Sequence, residues 1–250
     1  MIFITKHAFT MKQDYYEIES FKLFSESAIW QLNRDFYQEA GIKAWSSGLV
    51  PHQMTSSSMV GKTYAELILS FLKDVAAKGN TTEKVYIIEL GAGHGRLAFH
   101  ILQHLQKMVS LLETKLPPYC YVISDIVEGN LLFFKNHPQL QTYFQQGILD
   151  YAYFDAIASK TIELQYSKKT VYPQDLQQPI VAIANYFFDS IPNDLFLIQN
   201  QEVSACSVSL KSMDNPAVES PQKMLKNLRL TYEKTPLEKP FYSNVILNEI

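Results

Sequence analysis

The segment Val85-Tyr86-Ile87-Ile88-Glu89-Leu90-Gly91-Ala92-Gly93-His94-Gly95-Arg96-Leu97-Ala98 constrains this chain more than any other feature. An apolar run of strand character stops at an acid, three glycines alternate with other residues, and a helical pattern over 96–110 follows. Gly91 permits the tight turn off the strand, and Gly93 lets a ligand approach the backbone. The helix behind them aims its free amides and the positive end of its dipole at an anionic group.

The rest of the chain repeats the plan. Ala28, Ile29, Leu32, Phe36 and Tyr37 recur at helical spacing over 25–40, with Gly41 as a stop. After the loop 45–52 and the hydroxyl cluster Thr55-Ser56-Ser57-Ser58, Tyr64, Leu67, Ile68, Phe71, Leu72 and Val75 predict a helix over 62–78 that ends at Gly79. A second strand, Tyr121-Val122-Ile123-Ser124, ends at Asp125, and a helix over 130–136 stops before Pro138. A third strand is expected around 144–149 and a fourth over 179–184. Strands alternating with helices predict an α/β fold, a Rossmann-like doubly wound parallel sheet covered on both faces. Phe196-Leu197-Ile198 and residues 203–210 read as a hairpin, 211–223 as a linker, and Leu228 to Tyr232 as one more strand. The expected division is an N-terminal helical region over 1–79, a Rossmann-like core over 80–210, and a linker with a β-rich C-terminal extension over 211–250. The apolar ending Val245-Ile246-Leu247-Asn248-Glu249-Ile250 carries no stop signal, so the natural protein is expected to continue.

Composition narrows the function. At 250 residues, 47% hydrophobic, the chain can bury a sizeable core, which excludes disorder and small disulfide scaffolds. Its 22 basic and 25 acidic residues, net −3, disfavour a nucleic-acid partner. Cys120 and Cys206 read as buried thiols in a reducing compartment, with neither a disulfide nor a cysteine-based zinc site. No secretory signal opens the chain and no apolar run approaches the roughly 20 residues of a membrane span, so a cytoplasmic protein without membrane association is expected.

The glycine spacing selects a cofactor. A nicotinamide or flavin site expects G-x-G-x-x-G, whereas this loop reads G-x-G-x-G with an acid two residues before the first glycine. S-adenosyl-L-methionine fits better. Glu89 is placed for its amino group, and the amides of Gly91, Ala92, Gly93 and Gly95 for its carboxylate side. Asp125, with its neighbour Ile126, is placed for the ribose, and Leu149-Asp150 for the adenine. The plainer alternatives are a structural turn for the glycines, a solvated strand-end acid for Asp125, and the same for Asp150 and Asp155.

At these residues the chain resembles class I S-adenosylmethionine-dependent methyltransferases, and within them the MidA-like family. That family has a Thr-Ser turn before a Phe-Gly-Glu-Leu-like helix start; here Thr55-Ser56 precedes Tyr64-Ala65-Glu66-Leu67-Ile68. Its fourth strand ends in an Asn-Glu-apolar-apolar-Asp-Ala-Leu-Pro signature; here the residues are Asn185-Tyr186-Phe187-Phe188-Asp189-Ser190-Ile191-Pro192. The resemblance covers roughly residues 45–210. It implies methyl transfer to a protein side chain, in that family an arginine modified during respiratory complex I assembly. Asn185 and Asp189 become the candidate catalytic residues, Asn185 also touching the cofactor. Tyr186 replaces the family glutamate, and Ser57-Ser58 replaces Pro-Glu, which removes the carboxylate that would orient a guanidinium.

Three hypotheses follow: a methyltransferase, a catalytically degenerate assembly or scaffolding module of the same ancestry, and an NAD-dependent oxidoreductase disfavoured by the glycine spacing. Residues 56–63, ending Gly61-Lys62-Thr63, resemble a phosphate-binding loop but lack its first glycine and a preceding strand. His100 and His104 share a helix face without a third ligand, and no metal site is expected.

Overall fold

The computed structural model describes residues 15–200, 202–237 and 240–248, which divide into two compact units. The first comprises residues up to Phe36 together with Phe188 onward; the second runs from Tyr37 to Phe187.

In the first unit β1 (Tyr16–Leu23) precedes α1 (Ile29–Ala40), a helix that continues across the division. Glu19 caps that helix, accepting from the Ala28 amide at 2.9 Å and from the Ser27 hydroxyl. In the second unit follow α2 (Lys43–Ser46), α3 (Ser58–Ala77), β2 (Val85–Glu89), α4 (Arg96–Val109), β3 (Tyr119–Asp125), α5 (Glu128–Asn136), α6 (Pro138–Gln145), β4 (Leu149–Tyr153), β5 (Ile162–Leu164), β6 (Lys169–Val171) and β7 (Val181–Ile183). The chain then returns to the first unit through β8 (Phe196–Gln199), β9 (Glu202–Ser212), α7 (Pro221–Lys226) and β10 (Leu228–Pro236). There β9 takes β1, β8 and β10 as antiparallel partners.

The second unit carries the α/β Rossmann-like core: four parallel strands in the order β4-β3-β2-β7. Successive strands step outward from β2 through β3 to β4, and β7 then joins the other side of β2. That reversal is a topological switch point, and ligands in such sheets bind outside the carboxyl ends of the strands there. Glu89 ends β2 at that point, in register with Ile123 and Ile183.

Alternation along the strands builds two cores. Val85, Ile87, Tyr121, Ile123, Leu149 and Tyr151 face α3, α4, α5 and α6, burying Leu72, Ile101, Leu105, Phe134 and Phe144. On the opposite face Ile88, Cys120, Val122 and Ala152 form a smaller cluster closed by Leu164 of β5 and Val171 of β6. On the helix side α3 and α4 cross closely: a Cβ on Gly61 would lie 2.5 Å from the Cβ of His100. Gly61 is thus a helix-crossing glycine, and the phosphate-loop-like run around it lies largely within α3.

Several elements depart from the sequence expectation, among them α6, β5 and β6, which it did not contain. Residues 144–149 do not form the third strand: Phe144 belongs to α6, Gly147 turns the chain at φ +69, and β4 starts at Leu149. Leu149 and Asp150 therefore begin a strand whose carboxyl end is Tyr153. The strand β1 was not anticipated, because its apolar residues are interrupted by Glu17, Glu19 and Lys22 and its partner β9 lies far along the chain. The N-terminal residues 1–14 and parts of the C-terminal ending lie outside the described residues.

Candidate functional site

The turn after β2 is built from three glycines in the left-handed region, Gly91 at φ +62, Gly93 at +60 and Gly95 at +69. Only glycine holds that conformation without strain, so the alternate spacing is a backbone requirement. Neighbouring strands pin the turn. The Leu90 amide donates to Ile183 O and the Ala92 amide to Ser124 O, each at 2.9 Å. The Ser124 hydroxyl donates to Glu89 O at 2.8 Å. Gly95 caps α4 and its own amide donates back to Ala92 O.

Glu89 is 3% exposed, and Tyr121 donates its hydroxyl to Glu89 Oε2 at 2.9 Å. Burial pushes its carboxyl up to about 8, and Asp125 pushes the same way while the tyrosine bond opposes them. A value near 8 favours the protonated carboxyl at neutral pH, and an ammonium group placed against it would favour the anion.

Asp125 lies behind the turn as a brace. Its Oδ2 accepts from the Gly93 amide at 2.9 Å and from Asn130 Nδ2 at 3.1 Å, and its Oδ1 from the Val127 amide at 2.9 Å. Burial raises its pKa while these bonds, with the Ile126 amide, hold it down. A carboxylate offers about four acceptor positions, so a ribose hydroxyl must exchange with one of these donors. The carbonyl of Ile126 accepts from Gln38 Nε2 at 2.9 Å.

Asp150 lies elsewhere. It pairs in register with Val122, on the face opposite Glu89 and Asp125, and accepts from the amides of Tyr151 and Tyr166 at 2.8 Å and Ser167 at 3.0 Å. Leu149 is buried in the helix-side core. Asp155 caps its own turn, accepting from Ile157 N at 2.9 Å.

At the end of β7, Asn185 donates to Thr55 O at 3.3 Å, which joins the fourth-strand signature to the Thr-Ser turn. Tyr186 follows at φ +52, a conformation uncommon for a side chain of its size, and is exposed. Phe187 turns back, so that a Cβ on Gly91 would meet its ring at 3.0 Å. Asp189 belongs to the first unit, exposed in the short helical turn Phe188–Ser190.

Sequence reasoning did not anticipate an aromatic column on the turn. Trp45 of α2 stacks on His94 at 5.8 Å and 6°, with Tyr37 stacked on its other contact at 5.7 Å and His52 edge-on to His94 at 4.4 Å. The indole lies on Gly93, where a Cβ would be 2.6 Å from Trp45 Cζ2. Burial, with His52 and Arg96, lowers His94 to about 4, so the ring is neutral at pH 7. Tyr121 was legible, since it shares the strand parity of Asp125; nothing in the spacing of Trp45 assigns it to Gly93.

Among the described residues, no group of three or more His, Cys, Asp or Glu is placed to hold a metal, and His104 pairs with Ser58 Oγ at 2.9 Å. No helix among them is long and apolar enough to cross a membrane.

A family model described as "putative S-adenosyl-L-methionine-dependent methyltransferase" matches residues 65–248. The chain belongs to this family. S-adenosyl-L-methionine is the family's cofactor. No match is found among curated proteins. Two crystal structures of one superfamily from Burkholderia thailandensis are similar. One, an uncharacterised protein, is 18% identical with a TM-score of 0.43 over 88% of this chain and 45% of that one. The other, described as a "likely methyl transferase" bound to S-adenosyl-homocysteine, is 16% identical with a TM-score of 0.42 over 92% and 48%. The chain spans about half the length of these structures.

The site residues fit the family's cofactor in three respects. The turn is glycine-built at the switch point, an acid ends β2, and Asn130 Oδ1 and His94 Nε2 are buried without a hydrogen-bond partner among the described residues. One group stands against it: the Trp45 indole covers the face of Gly93.

Proposed function

We propose that this chain binds S-adenosyl-L-methionine on the Gly91–Gly95 turn and transfers its methyl group to a protein side chain. The observation that carries the reading is the left-handed glycine turn at the β2/β7 switch point, closed by the buried acid Glu89. When bound, the cofactor supplies an electrophilic methyl on a sulfonium, so the protein's task is alignment, water exclusion and placement of the acceptor.

This chain's residues divide that task. Glu89, held by Tyr121, ionises against an ammonium group and so converts its own burial into selectivity for a cation. Asp125 keeps Gly93 and the start of the next helix in place. Asn185, tethered to Thr55, is assigned to the acceptor side, together with Tyr186 in place of a carboxylate. That replacement favours an acceptor less dependent on charge pairing than arginine. The proposal includes MidA-like kinship, a cytoplasmic location and no nucleic-acid partner.

A second reading, a catalytically degenerate assembly or scaffolding module, is favoured by the Trp45 ring on Gly93 and by Tyr186. Titration calorimetry with S-adenosylmethionine and, in parallel, NADH separates cofactor classes. Transfer of a labelled methyl group to proteins of a cell extract then separates an enzyme from a module. Saturable labelling supports the first reading, and cofactor binding with no acceptor labelled supports the second.

A further inference from the structure

The short helix carrying Trp45 is flanked by two left-handed glycines, Gly41 at φ +51 and Gly48 at φ +77. Gly48 has open space where a side chain would be, and its amide donates to Trp45 O at 3.0 Å. The arm is anchored through Ala44, which is fully buried and whose carbonyl accepts from Val50 N at 2.8 Å. What the arm delivers is the benzo edge of an indole: positions Cζ2, Cε2 and Cη2 lie 2.6, 2.9 and 3.1 Å from the place of a Gly93 Cβ. Gly93 lacks a side chain and is buried, so the space that its missing Cβ leaves is filled by Trp45. A ligand and the indole cannot both lie on that face, because both need van der Waals contact with the same backbone atoms.

We propose that Trp45 is the gate of the cofactor site: the indole and an S-adenosyl ligand compete for the face of Gly93, and the indole is displaced when the ligand binds. This rests on the reading that the turn is a cofactor site. The stack on His94 and Tyr37 holds the closed state, and opening turns the indole about its own side-chain bonds while buried Ala44 keeps the short helix in place. The ligand must offset the stack, so apparent affinity is reduced by the fraction of chains with the gate open.

The chain has two tryptophans, Trp30 and Trp45, which makes displacement directly readable. Trp45 emission, taken as the difference between the wild-type protein and Trp45→Phe, is followed while S-adenosylhomocysteine is added, and binding is measured separately by calorimetry. The expected result is a saturable change in Trp45 emission and acrylamide quenching at the calorimetric midpoint. Trp45→Ala, checked for folding by its thermal transition, is expected to bind the ligand about tenfold more tightly. Binding by Trp45→Ala where the wild type shows none supports the gate in its strongest form. Calorimetric binding with unchanged Trp45 emission and equal affinity in Trp45→Ala overturns the gate and leaves the cofactor reading intact. Weaker binding in a folded Trp45→Ala also overturns it, since the indole then holds the ligand. Failure of wild-type and variant alike to bind overturns the gate together with the cofactor reading.

Discussion

At the carboxyl end of β3, Asp125 accepts hydrogen bonds from the amides of Gly93 and Val127; at the start of the adjacent β4, Asp150 accepts from the amides of Tyr151, Tyr166 and Ser167. Both carboxylates are buried and both organise a turn through backbone donors. They differ in face and in the turn they hold. Asp125 lies on the helix side and braces the glycine turn at the switch point, whereas Asp150 lies on the other face and fastens the connection between β5 and β6. A buried aspartate at a strand end is thus not a ligand residue by position. What separates the two is the turn each carboxylate holds.

Breaking the glycine turn itself should have the largest effect on ligand binding. Gly93→Val places a branched side chain at φ +60 and 2.6 Å from the Trp45 ring, and it should lower S-adenosylhomocysteine affinity by a factor on the order of 100. Calorimetry checks this, and affinity within threefold of wild type would remove Gly93 from the site.

Glu89 extends the contrast to a third buried acid. Its carboxyl is raised in the fold to about 8, so the native state holds its proton more tightly than the unfolded chain does. Its contribution is intact below the unfolded value near 4.5 and is lost as pH rises to about 8. Glu89→Gln should therefore match wild type in urea at pH 4 and exceed it at pH 8 by roughly 4 kcal/mol. Equal pH profiles would contradict a buried, protonated Glu89.

The two aspartates can be compared directly. Asp150→Ala and Asp125→Ala each leave buried amides unpaired and should each cost about 2 kcal/mol in chemical denaturation. Only Asp125→Ala should weaken S-adenosylhomocysteine binding, by about tenfold. A matching loss in Asp150→Ala would erase the distinction between the two turns. Smallest is Tyr121→Phe, which removes the bond that favours ionised Glu89. It should cost about 1 kcal/mol and move the Glu89 transition to higher pH. An NMR titration of the Glu89 carboxyl checks the direction.

Much of the second unit was legible locally. The βαβ repeats from β2 to β4 use helices and strands adjacent in sequence, and the glycine spacing reports φ angles at Gly91, Gly93 and Gly95 directly. The third strand was misplaced because the aromatic run at Tyr143-Phe144 is equally apolar in a helix, and Gly147 decides where the helix gives way. The antiparallel unit was only partly legible. The hairpin of β8 and β9 is local, but β1 pairs with a strand almost two hundred residues later, and no local periodicity encodes such a partner.

The sequence by itself determined the glycine turn, the acid before it, the alternation of strand and helix, and hence the cofactor class, because backbone conformations and apolar periods are local properties of a few residues. Tertiary structure alone decided three further points. Asp125 braces the turn, Asp150 lies on the opposite face of the sheet, and Trp45 covers Gly93. Each depends on strand register or on packing between distant segments, where a shift of one residue moves a side chain to the other face of the sheet.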